Sequence, residues 1–236
     1  MKKTILTVVL CVLTLNTALA QFDTAMFVSD VFLLDNYIKR QNNGINFKDT
    51  KTYRGTPYNN PNFLPGNIYK EGTLLADNIA IRYNAVADEM EVKQFFNSDD
   101  ENARVLTKSQ DIYVKIVDDI YVFVPYQGGV ENGGYFQVIF EGSKTALYKK
   151  HIKDFKPEKK ATSSITKTLP PVFKDKPVFY LVTKSGKFYQ MPKSRSKKLK
   201  VFGEKQNQMK AFTKQNNLDL NKQEDLLKAI IYFDTL

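Results

Sequence analysis

Cysteine, histidine and tryptophan are nearly missing from this 236-residue chain, which has one Cys, one His and no Trp. Cys11 falls inside an N-terminal apolar run that reads as a removable leader, and the chain beyond it carries no thiol. Disulfides and thiolate metal sites are thereby excluded there, and stability must come from burial. With His151 alone, neither a histidine-based triad nor a multi-histidine metal site can be assembled. No cofactor is expected. Long apolar runs are also missing after the leader, where nothing approaches the roughly 20 residues of a membrane helix. The strand-like segments are too few and irregular for a lipid-facing barrel of alternating segments of roughly 10 residues.

The leader itself has three parts: Lys2 and Lys3, the apolar run Ile5 to Leu15, and the small-x-small site Ala18-Leu19-Ala20. Val9-Leu10 precede Cys11, where a lipoprotein signal needs small residues. Cleavage after Ala20 is expected, with export to the periplasm or the outer-membrane surface.

What remains is aromatic and strand-like. The 17 Phe and 13 Tyr argue against disorder. Residues 22–40 have a spacing that suits a short helix, and 41–66 read as loop from Gly55-Thr56-Pro57 and Asn60-Pro61. From Gly66, short alternating segments separated by polar turns predict an antiparallel meander, clearest at Ile112–Ile116 and Ile120–Val124 around Asp118-Asp119. Gln127 to Gly134 reads as a glycine-rich loop, and no internal repeat is evident. The expected organisation is a leader (1–20), an N-terminal segment with the β domain (21–156), a Pro/Ser/Thr linker or long loop (157–177), and a hairpin with C-terminal helices (178–236). Asn221 and Glu224 form a capping-box pattern before a helix with Leu226, Leu227, Ile230 and Ile231 on one stripe. The fold class is β-rich α+β: a curled antiparallel sheet, a basic hairpin and two C-terminal helices.

Charge is uneven. Residues 21–143 hold 11 Lys/Arg against 17 Asp/Glu, while 144–214 hold 20 against 4, a local excess of +16. Two clusters stand out: Lys149, Lys150 and Lys153, with Lys156, Lys159 and Lys160; and Lys193, Arg195, Lys197, Lys198 and Lys200. Such an excess points to polyanions as partners. An exported protein rarely meets nucleic acid, so anionic lipid, lipopolysaccharide or acidic glycan is expected, or else another envelope protein. The competing reading is a solvated lysine-rich face.

No pattern assembles an active site. His151 sits among lysines that disfavour its charged form, and reads as a solvated surface residue. Ser194 and Lys197 fit S-x-x-K and Lys184-Ser185-Gly186 resembles K-[ST]-G, as in serine acyl-enzymes. Their order is reversed, however, and the gap too short. The acidic stretch Asn97 to Asn102 lacks the alternating carboxylates and central glycine of a calcium loop, and reads as a solvated turn. No catalytic or metal residue is assigned.

The segments Tyr53 to Tyr58, Pro65 to Tyr69, Ile81 to Asn84, Gly134 to Val138 and Leu147 to Lys150, with the helix Lys222 to Tyr232, resemble a family of exported cell-envelope proteins of Bacteroidota-type bacteria. That resemblance implies an envelope compartment and brings no activity, substrate or catalytic residue. The expected role is non-enzymatic contact with an anionic surface or an envelope partner. Alternatives are an envelope hydrolase acting on glycan or peptide through carboxylates, and a structural assembly component.

Overall fold

A computed structural model describes residues 53–125, 133–163 and 165–236, together with the backbone of Ile38–Lys39. The expected leader, most of the expected 22–40 helix and most of the expected glycine-rich loop lie outside the described residues.

Among the described residues eleven strands form one antiparallel sheet. In chain order they are β1 (Ile38–Lys39), β2 (Leu64–Lys70), β3 (Thr73–Asn84), β4 (Glu89–Lys93), β5 (Arg104–Leu106), β6 (Ile112–Ile116), β7 (Asp119–Val124), β8 (Gly134–Glu141), β9 (Thr145–Lys150), β12 (Val178–Thr183) and β13 (Phe188–Gln190). The spatial order is β1-β5-β4-β3-β2-β6-β7-β8-β9-β12-β13. The chain thus runs one meander outward from β2 to β5, returns so that β6 pairs with the free side of β2, and runs a second meander the other way. Two further strands, β10 (Lys153–Lys156) and β11 (Val172–Asp175), pair with each other apart from the sheet. The expected β-rich α+β architecture is the observed one.

The sheet bends in two opposite directions. Neighbouring strands lie roughly 4.8 Å apart, so three spacings in a flat sheet span about 14 Å. Yet Tyr83 on β3 and Tyr121 on β7, three spacings apart, have ring centroids 5.5 Å from each other. Phe136 on β8 and Phe188 on β13, also three spacings apart, come within 5.6 Å. Tyr121 pairs across from Gln137, and Phe136 from Val122, so the two rings point to opposite faces of the sheet. Around the first curl gather Ile68, Ile81, Tyr83, Met90, Val114, Tyr121 and Tyr135. The second curl encloses Val124, Phe136, Ala146, Tyr180, Val182 and Phe188. At Gly66, on β2, an added Cβ would lie 2.6 Å from the Lys115 carbonyl oxygen and 2.8 Å from Ile81, so the tight pairing of β2 with β6 requires glycine.

Three helices cover the outer side of the second curl: α1 (Arg195–Lys200), α2 (Gln206–Gln215) and α3 (Gln223–Thr235). They bury Leu199, Met209, Leu226, Ala229 and Ile230 on Leu147 and Leu181. Two details differ from the sequence pattern. The buried stripe of α3 is Leu226, Ala229 and Ile230, while Ile231 stays exposed, because the sheet meets the helix at i, i+3 and i+4. The capping box is not formed: Lys222 occupies the N-cap with no side-chain bond, and the Asn221 carboxamide is instead taken by Lys198.

Candidate functional site

The sequence-predicted basic residues divide into two groups once folded. The Lys198 side chain is buried and donates to the Leu220 carbonyl oxygen at 2.6 Å and to Asn221 Oδ1 at 2.9 Å. Burial lowers its pKa, against a raising influence from Asp219. Lys150 donates to the Gly133 carbonyl oxygen at 3.0 Å, lies 3.6 Å from Asp88 and covers the Phe136 ring. Lys153 has a buried side chain paired with Asp175 at 2.5 Å. Lys149 is half-buried and donates to Gln223. These four hold elements together; for Lys198 in particular, the expectation of a surface contact is corrected.

Lys193, Arg195, Lys197 and Lys200 behave otherwise. All four are exposed and make no ion pair with a described residue. They flank or lie on α1, whose N-cap is Ser194: its Oγ accepts from the Lys197 N–H at 3.3 Å. The S-x-x-K pattern is therefore a helix cap, the role serine fills most often at that position. The segment is a short helix.

Sequence reasoning missed a buried charge network on β3 and β4. Arg82 donates through Nε and Nη2 to Glu91 Oε2 at 3.1 and 2.7 Å, and through Nη1 to Asp100 at 2.9 Å and the Pro61 carbonyl oxygen at 3.2 Å. Its guanidinium lies 3.8 Å from the Tyr58 ring centroid and 4.1 Å from that of Phe63. Lys93 donates to Asp100 and to the Ser98 carbonyl oxygen, and Asn84 to the second oxygen of Glu91. The stretch 97–102 is thus no idle turn: Asp100 anchors it to two buried cations. Its carboxyl is held low because bonds from Lys93 and Arg82 outweigh burial. Every member has a partner, so the network serves to fasten segment 57–63 and the 97–102 turn to the back of β3 and β4. The available signal was alternation: Arg82 lies between Ile81 and Tyr83, and Glu91 between Met90 and Val92, on a face that reads as solvated until the preceding segment covers it.

His151 is not a surface residue either. It is half-buried, its Nε2 lies 2.7 Å from Gln137 Oε1, and its ring lies 6.0 Å from those of both Tyr83 and Tyr121. Burial first, then Lys149 and Lys153, push its pKa down to about 4. Asp88 accepts from the Tyr83 hydroxyl at 2.6 Å and the Tyr135 N–H at 3.1 Å, so it and the histidine each meet Tyr83 in the first curl.

Two open clefts flank segment 59–63. One, of about 340 Å³, is bordered by Asn59, Asn60, Asn62, Val117, Asp118 and Asp119 among others. Its two carboxylates are sequence neighbours on the β6–β7 turn, facing asparagines. The other, of about 260 Å³, contains Asp100, already held by Arg82 and Lys93. Among the described residues no three His, Cys, Asp or Glu side chains cluster as metal ligands would, and no helix is long and apolar enough to cross a membrane. Comparison of the chain with protein-family models, curated proteins and solved structures gives no match.

Proposed function

We propose that the chain is a non-enzymatic protein of the bacterial cell envelope, exported by its leader, that contacts an anionic surface through its basic C-terminal half. One observation carries this reading. After Lys150, Lys153 and Lys198 are assigned to internal contacts, Lys193, Arg195, Lys197 and Lys200 remain exposed without a described carboxylate partner. Unneutralised cations grouped on one short helix and its approach attract polyanions at long range, and that attraction is screened by salt. A glycan hydrolase draws no comparable support, since its two carboxylates must face each other across the scissile bond, and in the larger cleft both come from one turn.

The test is co-sedimentation of the mature chain with anionic vesicles and with lipopolysaccharide over a salt series. Binding at low ionic strength, lost on adding salt and weakened by R195E, K197E and K200E together, is expected. Lys198 is left intact because it holds Leu220 and Asn221. No binding to either surface at low salt would overturn the reading.

A further inference from the structure

Beyond the ribbon β10–β11, hydrogen bonds continue among the described residues, and an apolar residue lies exposed. Within the ribbon Phe155 packs on Phe173 with centroids 4.9 Å apart, and Tyr53 meets Phe173 edge-on at 5.2 Å. Further out, Lys159 and Leu169 exchange both backbone hydrogen bonds, at 3.0 and 2.8 Å, so pairing resumes beyond Pro157 and Pro170. The outer end is tied by hydroxyls: Thr166 Oγ1 accepts from the Thr162 and Ser163 N–H groups at 2.9 and 3.0 Å, and Thr168 Oγ1 from the Ala161 N–H at 3.1 Å.

Ile165 has 93% of its surface exposed there, and Leu169 57%. Around them Lys159, Lys160 and Lys167 are exposed and make no ion pair with a described residue. Toward the base the acids are already matched, Asp175 by Lys153, and Asp154 by Lys156 and Lys176. The charge offered outward is therefore that of the lysines, opposed only by Glu158.

An apolar apex within a collar of lysines suits a layered partner whose anionic groups lie above an apolar interior. Acidic glycans and other soluble polyanions would use the lysines and leave Ile165 in water. An anionic bilayer uses both, with lysine stems extending along the interface and ammonium groups at the phosphates. We propose that the protein docks on anionic phospholipid bilayers by seating Ile165 below the headgroups, with Lys159, Lys160 and Lys167 at headgroup level. This rests on the anionic-surface reading above; it names the lipid and a second group of residues, besides those around α1, that meets it.

The chain has no tryptophan, so Ile165→Trp introduces a single indole reporter. Full-length mature I165W is mixed at low salt with phosphatidylcholine vesicles, with vesicles also containing phosphatidylglycerol, and with lipid A vesicles. Expected are a blue-shifted emission and quenching by brominated acyl chains with phosphatidylglycerol but not with phosphatidylcholine alone. Binding should fall roughly fivefold for each lysine removed among K159A, K160A and K167A. I165D should bind more weakly than wild type, with its circular dichroism unchanged. If anionic vesicles bind the protein while the indole stays in water and I165D binds as wild type does, Ile165 is not the anchor and the anionic-surface reading survives. Binding to lipid A vesicles alone overturns the phospholipid assignment. Absence of binding to every surface removes both readings.

Discussion

Asp234 in the last turn of α3 and Thr145 at the start of β9 are joined twice: one carboxylate oxygen accepts the Thr145 N–H at 2.6 Å and its hydroxyl at 3.0 Å. The same carboxylate takes the Ser143 and Lys144 N–H groups, both at 2.8 Å, so a single side chain fastens the C-terminal helix to the β8–β9 turn. An added Cβ at Gly142 would lie 2.5 Å from this carboxylate, so the turn also depends on glycine there. Burial raises the Asp234 pKa, but the N–H groups of Lys144, Thr145 and Ser143 outweigh it and hold the carboxyl well below its usual range. A folded-state pKa below the unfolded value means that the contribution is complete above about pH 4 and shrinks as the pH falls through that value. D234N is expected to cost about 1–3 kcal/mol at neutral pH. Urea titrations should show the gap between wild type and D234N closing on acidification; a gap independent of pH would refute the carboxylate's role.

Removing Glu91 leaves Arg82 buried with only the exposed Asp100 as ionic partner. E91A is expected to cost roughly 3–5 kcal/mol, as for a stranded buried charge. Replacing both residues by apolar side chains, R82M with E91L, should recover much of that loss. Equilibrium unfolding of the two variants checks the ordering, which fails if the double variant is the less stable one.

His151 is neutral across the physiological range, with its pKa depressed to about 4 by burial and by Lys149 and Lys153. The unfolded chain binds its proton near pH 6.5. Stability linked to this residue is therefore full above pH 6.5 and is lost as the pH falls from there toward 4. An NMR titration of the imidazole should have its midpoint near 4; a midpoint near 6.5 would show that the ring is solvated.

Lys197 and Lys198 are neighbours, the first exposed and the second buried. K198A leaves the Leu220 carbonyl and the Asn221 side chain without their donor and is expected to cost about 1–3 kcal/mol. K197A should stay within about 0.5 kcal/mol of wild type. Thermal melting compares them directly, and equal effects would contradict the assignment.

Val117 begins the β6–β7 turn with φ of +54°, a backbone region that a β-branched residue enters only at a cost. The residue is 52% exposed, so little packing is lost on replacement. V117N should raise stability by about 0.5–1 kcal/mol, read as a higher melting midpoint. A lower midpoint would mean that the valine side chain contributes more than its exposure suggests.

The strands and their hairpins were legible in the sequence because alternation and tight polar turns are local signals. Ile112–Ile116 and Ile120–Val124 pair as their pattern predicts. What escaped were groups whose environment is made by distant chain. Arg82 and Glu91 occupy positions that alternation assigns to solvent, and only Tyr58, Pro61 and Phe63, arriving from the preceding segment, close over them. His151 looked exposed beside its lysines, yet the curl brings Tyr83 from five strands away against it. The two basic clusters were legible as composition. Which lysines turn inward was not, since that depends on where Asp88, Asp175 and Leu220 come to rest.

The opposite bends of the sheet have a mechanical consequence. Strands β7 and β8 act as a party wall: Tyr121 and Tyr135 furnish one room, Phe136 and Val124 the other. Emptying either room strips the plaster from both sides, so the two halves should let go together in one calorimetric transition, with the slowest amide exchange in that shared partition.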